Sequence, residues 1–288
     1  VDVPCHKDVR QLLNYQAISD SYYKRGKGDA RKRLDEVEAI HREWVSPMIN
    51  LSDFPHCYFT HGATDAIHHW VMTENRGYQY MEGEYEYASM CGMSGISICD
   101  VPGQYMNPET NRSAKPNQPK LNVPLLISIP SAADGNIFYP KVDQWKVTPP
   151  VILDCTYISS TKADRIEVPS TTEQIFFSFS KGFGLVGQRL GLVYTKEPHA
   201  TLDKLKEYEN WNYSGVETMK LIMKKFAVDE MWNRYKDKQL EICKEYGFQP
   251  SSVFYLATTK DQYYKRRRRM RWNNDARICI TPLFDDYL

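Results

Sequence analysis

No apolar run in the 288 residues approaches the roughly 18 needed to cross a bilayer, and the opening Val1-Asp-Val-Pro-Cys-His has none of the layout of a signal peptide. Excess charge of either sign is missing too. Thirty-seven Lys and Arg against 36 Asp and Glu leave a net charge of +1, which argues against a general binder of polyanions. The seven cysteines form no CxxC pair, and their odd number suits reduced, mostly buried thiols better than a disulfide framework. His56, His61, His68 and His69 crowd one stretch, but neither HExxH nor paired Cys/His spacing accompanies them, so no metal is expected. The basic run from Lys265 to Trp272 stands in an otherwise neutral chain and is read as a solvated face, with no nucleic acid as partner. These absences lead to the expectation of a cytoplasmic protein that is not embedded in a membrane. The first residue is valine, so a trimmed or processed start is expected.

What remains is the composition of an ordinary folded protein, long enough for one large domain and a small one. From about Asp8 to Ile49 the pattern is mostly helical, with Leu34, Val37, Ile40 and His41 at three-to-four spacing. Short continuous apolar runs then recur at Cys57–Thr60, Gly95–Val101, Pro124–Pro130, Val151–Asp154, Ile175–Ser178 and Leu190–Tyr194. Strands of that kind suit a sheet covered on both faces, which predicts a largely parallel α/β core. A polar loop over 105–122 interrupts them. From about Ser214 a long helical pattern runs to Tyr246, and the apolar runs Ser252–Ala257 and Ala276–Thr281 suggest a separate small α+β unit. The expected division is 1–50, an N-terminal helical segment; 51–213, a large α/β domain; and 214–288, a small C-terminal domain.

The most informative stretch is Phe176-Phe-Ser178-Phe-Ser180-Lys181-Gly-Phe-Gly-Leu-Val-Gly-Gln-Arg189-Leu-Gly191. A lysine leaving an aliphatic strand for a glycine-rich turn is partly desolvated. Desolvation and a cationic neighbour both lower an amine's pKa and make it nucleophilic. Hydroxyls at Ser178 and Ser180 and the fork of Arg189 are groups that hold a phosphate dianion. Together they suit a lysine that forms an imine with a phosphorylated aldehyde, pyridoxal phosphate. The same residues also fit a strand end, a turn and a surface lysine. Upstream, Gly62-Ala63-Thr64 opens a predicted helix whose free N–H groups would favour phosphate, though so short a motif also occurs by chance. Asp154 closes a buried strand, where a carboxylate needs a cation; its alternative use is to cap the following turn.

The lysine run resembles the Ser-x-Ser/Ala-Lys…Gly-x-Arg-x-Gly signature of the fold type I pyridoxal-phosphate enzymes, in particular the class I/II aminotransferases, and further segments follow in that family's order. The resemblance implies a mostly parallel sheet sandwiched by helices with a small α+β C-terminal domain, a homodimer, and transamination between an amino acid and a 2-oxo acid. It also implies roles for single residues. Lys181 would hold the cofactor as a Schiff base and shuttle the α-proton. Asp154 would pair with the protonated ring nitrogen, and Tyr157 would bond the phenolic oxygen. Gly62, Ala63, Thr64, Ser178, Ser180 and Arg189 would hold the phosphate, and Tyr85 of Gly83-Glu-Tyr-Glu-Tyr87 would stack on the ring. Arg277 would fork onto the substrate carboxylate, and Tyr22 or Tyr23 would reach the phosphate of the neighbouring subunit. Ordinary packing for the tyrosines and a surface ion pair for Arg277 are the alternatives.

One segment departs from the family. Where its members carry Asn-Pro-x-Asn-Pro-Thr/Asp-Gly, this chain has Ser128-Ile-Pro130-Ser-Ala132-Ala-Asp134-Gly135, and Ala132 has no amide to offer the phenolic oxygen. The ending is similar to the alliinase and tryptophan-aminotransferase branch. A β-eliminating lyase on the same scaffold is therefore the alternative activity, and a binding protein that kept the fold without the chemistry is the third.

Overall fold

The computed structural model describes residues 4–13, 29–80, 84, 85, 87, 121–137, 148–264 and 275–284. The expected strand at 95–101, most of the 105–122 loop, the basic run 265–272 and both Tyr22 and Tyr23 lie outside them.

Among the described residues two helices precede the sheet, α1 (Lys7–Leu12) and α2 (Asp29–Val45). Leu34, Val37, His41 and Val45 recur at helical spacing on α2 and are fully buried. Six strands follow: β1 (His56–Thr60), β2 (Gln79–Tyr80), β3 (Leu125–Ser128), β4 (Val151–Asp154), β5 (Thr172–Ser178) and β6 (Gly191–Thr195). They form one sheet in the order β1-β6-β5-β4-β3-β2. β2, β3, β4 and β5 pair in parallel, whereas β6 runs antiparallel to both its neighbours. β3 and β4 are buried along their whole length, as continuous apolar strands between two layers should be. Helix α3 (Ala63–Thr73) covers one face through Ala66, Ile67 and Trp70, beside Phe176 and Val193. On the other face α2 packs His41 against Phe177 and Tyr194.

After α4 (Ala200–Glu207), the predicted long helix is two: α5 (Tyr213–Lys225) and α6 (Glu230–Tyr246). Phe226 turns extended between them, and α6 stops at Gly247, whose φ of 69° is left-handed. A second sheet has the order β7-β8-β9, formed by Gln249–Pro250, Leu256–Thr259 and Ala276–Cys279. α2 is tied to α5 by Lys220–Glu36 and Arg33–Glu217 ion pairs and by Trp44 Nε1 donating to Phe226 O at 2.7 Å.

The apolar run from Ser252 was expected to be strand from its start, but the strand begins only at Leu256. Residues 251–255 instead form a buried turn whose N–H groups go elsewhere: Val253 to Gly135 O at 3.0 Å and Phe254 to Ser160 O at 3.1 Å. The buried amide of Gln239 donates toward the carbonyls of Ser251, Val253 and Leu256 at 3.0, 3.0 and 2.8 Å. The turn is apolar because it plugs the space between the two sheets. Gln239→Leu keeps the volume and strands those carbonyls, so it should destabilise the protein by roughly 1–3 kcal/mol in a urea unfolding titration. An unchanged midpoint would show that the amide does not hold the turn.

Candidate active site

The topology brings one edge of the large sheet together from separate parts of the chain. Ser128 lies opposite Asp154, Asp154 opposite Phe176, and Gly191 opposite both Ser178 and Thr60. The carboxyl ends of β1, β3, β4 and β5 and the start of β6 therefore share an edge, which is where open α/β sheets bind ligands.

Two glycines let the phosphate-type elements meet. A Cβ on Gly191 would stand 2.7 Å from Phe177 O and 2.8 Å from Gly62 Cα, so β6 admits only glycine where the turn before α3 crosses it. Gly62 has φ 84° and precedes α3 with no side-chain cap, leaving the first-turn N–H groups of Ala63 and Thr64 at the site. Its bare side faces cations and hydroxyls: a Cβ there would lie 3.2 Å from Arg189 Nη2 and 3.7 Å from Ser178 Oγ. Arg189 is half-buried in the left-handed region, with φ 53°, and pairs with no acid among the described residues. Ser178 Oγ accepts the Ser180 N–H at 3.2 Å, and the buried Ser180 Oγ has no hydrogen-bond partner among the described residues. A helix start, a guanidinium with no acid beside it among the described residues and the Ser178 hydroxyl converge on Gly62 and fit a bound dianion.

Lys181 follows this cradle, half-buried, on a turn held close to the loop after β4: a Cβ on Gly182 would fall 2.0 Å from Ser159 Oγ. Burial lowers its pKa, and the positive charges of Arg277 and Arg189 lower it further. Asp154 is buried at the end of β4. Its Oδ1 accepts the Thr156 N–H at 2.9 Å and the Thr156 hydroxyl at 2.5 Å. It does cap the turn, but with one oxygen; Oδ2 has no hydrogen-bond partner among the described residues and remains for a cation. Burial raises the carboxyl's pKa, opposed by Thr156 and by Lys181.

Tyr157 is buried beside Tyr255, with ring centroids 6.5 Å apart; burial raises its pKa and Arg277 lowers it. Arg277 enters from β9, paired with Thr258, and donates through Nη1 to Ala132 O. The structure thus gathers Lys181, Asp154, Tyr157 and Arg277 on one side, and Gly62, Ala63, Thr64, Ser178, Ser180 and Arg189 on the other. Tyr85 is 46% exposed and stacks on Tyr87 at 6.0 Å, with no contact to Lys181 among the described residues. Among these residues no cluster of His, Cys, Asp and Glu is arranged to hold a metal; His69 bonds Thr201 at 2.8 Å instead. None of the helices described is long and apolar enough to cross a membrane.

Pattern reading missed Thr156, whose place two residues after Asp154 is the signal of a side-chain turn. It also missed Glu84 and Ser128, which carry no such signal.

No protein-family model and no curated protein sequence matches the chain. Solved structures do. A histidinol-phosphate aminotransferase from Sinorhizobium meliloti in complex with pyridoxal-5'-phosphate superposes with a TM-score of 0.63 at 14% identity, over 96% of this chain and 84% of that one. A pyridoxal-phosphate-bound C–S lyase from Staphylococcus hominis gives 0.63 at 13%, over 97% and 83%. An aromatic aminotransferase from Pyrococcus horikoshii OT3 gives 0.60 at 16%, over 91% and 78%. The chain has the same α/β fold as these structures.

The cations around Lys181 make a direct prediction. With its pKa lowered, more of the amine is unprotonated below the range of an ordinary lysine, near 10.4, so in the cofactor-free protein it should react with an acylating reagent at lower pH than surface lysines do. Arg277→Gln removes one cation and should move that profile to higher pH, read site by site by mass spectrometry. Lys181 labelling in step with the surface lysines in both proteins would contradict the geometry.

Proposed function

We propose that this protein is a pyridoxal-phosphate-dependent aminotransferase that exchanges the amino group of an amino acid with a 2-oxo acid. What carries the assignment is Lys181, a half-buried amine with a lowered pKa between a buried carboxylate and an unpaired guanidinium cradle. When bound, the cofactor supplies a carbonyl carbon for an amine and a ring that draws electrons from the substrate's α carbon. The chain's own residues do the rest. Gly62, Ala63, Thr64, Ser178, Ser180 and Arg189 would hold the phosphate. Asp154 Oδ2 would hold the protonated ring nitrogen and Tyr157 the phenolic oxygen, and Tyr85 would turn from Tyr87 to stack on the ring. Arg277 takes the substrate carboxylate with a planar fork that lysine lacks. Lys181 would be the amine that holds the cofactor's carbonyl carbon, and its free amine would serve as the base that moves the proton at the substrate's α carbon.

The same assignment includes a homodimer in which Tyr22 or Tyr23 serves the neighbouring subunit's phosphate site, supported by the sequence resemblance around those residues. It also includes a cytoplasmic location, supported by the thiols of Cys5, Cys57, Cys155 and Cys243, which form no disulfide among the described residues. A division at 1–50, 51–213 and 214–288 is supported at its last boundary by the separate three-stranded sheet, although α2 packs directly on α5.

A second activity has its own supporting observation: with Ala132 in the loop, the phenolic oxygen receives no side-chain amide there. That favours a β-eliminating lyase as the rival. Protein reconstituted with pyridoxal phosphate should gain absorbance at the violet edge of the visible spectrum, and borohydride should fix a pyridoxyl group on Lys181. Lys181→Ala should lose both while retaining its fold by circular dichroism. A panel of amino acids should convert the bound cofactor to its amine form; ammonia and pyruvate without that form would favour the lyase. No absorbance change in the unaltered protein would overturn both.

A further inference from the structure

A buried carboxyl that none of these roles uses lies beside them. Glu84 is 2% exposed and has no basic partner among the described residues. Its Oε1 accepts the Ser128 N–H at 3.0 Å, and its Oε2 shares a short hydrogen bond with the Ser128 hydroxyl. Ser128 Oγ in turn accepts the Ala132 N–H at 2.7 Å, and the carbonyl of that same Ala132 receives Arg277 Nη1. An unbroken chain of hydrogen bonds therefore runs from Glu84 through Ser128 and one peptide segment to the guanidinium.

We propose that Glu84 is a positioning residue for Arg277, acting through Ser128 and the backbone of Ala132 to hold the guanidinium where it takes a substrate carboxylate. The role rests on the assignment of Arg277 given above. A buried carboxyl without a cation is costly unless its hydrogen-bonding sites are used, and here both oxygens are committed to the residue that begins the loop. Leucine would fill the space but could not accept the Ser128 N–H or engage its hydroxyl.

The chemistry also sets a pH dependence. Burial, with the negative charges of Asp154 at the end of β4 and Asp134 on the loop after β3, raises the Glu84 pKa to about 8. Tyr157, after β4, also faces it, and Arg277 from β9 faces both Tyr157 and Asp134. Lys181 acts from the far side of Asp154. Below that pKa Glu84 is a neutral acid, with one oxygen accepting and one carrying a proton, and glutamine reproduces that pattern. Above it a further negative charge enters the acidic side of the site and repels an incoming carboxylate.

The test uses reconstituted holoprotein and propanoate, which has a carboxylate and no amino group, with its dissociation constant measured by ligand-detected NMR. In the unaltered protein affinity should fall about threefold between about pH 7 and about pH 9. Glu84→Gln should keep the affinity found at the lower pH and lose the fall. Glu84→Ala should bind about fivefold more weakly at both pH values, because the chain is broken. Arg277→Lys serves as the control. If it weakens binding and Glu84→Ala does not, or if Glu84→Gln retains the pH dependence, the positioning role is overturned. If Arg277→Lys binds as the unaltered protein does, the assignment of Arg277 itself fails.

Discussion

Three cations, Lys181, Arg189 and Arg277, approach one another at the edge of the sheet, with Asp154 as the buried carboxylate that faces the lysine. Left alone, such a cluster is repulsive, and part of the repulsion is relieved by the amine giving up its proton. A dianion in the cradle would relieve more, and a substrate carboxylate at Arg277 more again. In the proposed assignment the charges that lower the amine's pKa are the same ones that would attract anions to the cradle and to Arg277. Burial raises the pKa of Asp154, opposed by Lys181, and one of its oxygens is occupied by Thr156.

Bringing those charges together requires backbone to approach backbone. Gly191 is glycine because Gly62 Cα and Phe177 O occupy the space a side chain would need, and Gly182 because Ser159 does. Gly184 plays a similar part further along, where a Cβ would lie 2.7 Å from Pro4 O and from Cys5 Cα. The glycine-studded run after Lys181 is thus a series of contacts with three distant segments: the α3 turn, the loop after β4 and the N-terminal residues. A lysine that merely ended a strand would not need them.

Several features were legible because they depend on local order. The continuous apolar runs became β1, β3, β4, β5 and β6, and Gly62-Ala63-Thr64 became the helix start. Asp154 ends β4 and Arg277 lies on β9, the strands expected from their apolar runs, and Lys181 stands on the turn after β5. Features that depend on distant partners were not legible. The Ser252–Tyr255 run is apolar because of the gap it plugs, and composition cannot separate that from a strand. The break between α5 and α6 falls at Phe226, a residue fully compatible with helix. Glu84 stood in view between Gly83 and Tyr85, yet its significance comes from Ser128, 44 residues away, and no periodicity connects them.

Position 132 shows how a departure from a motif can leave a site intact. The aminotransferase motif that the sequence resembles carries a side-chain amide there, whereas Ala132 contributes only main chain: its N–H goes to Ser128 and its carbonyl to Arg277. The loop is held independently of that side chain. Gly135, at φ 81°, lies against Leu256 and Ser251, and the hydroxyl of Ser251 donates to Asp134 O. The alanine therefore costs the loop little in structure; in the proposed assignment it would leave the ring's phenolic oxygen one donor fewer. A phenolate with fewer donors is more basic and holds its proton to higher pH. The substitution would then bear on how the ring draws electrons from the α carbon, where the proposed transamination and its eliminating rival part.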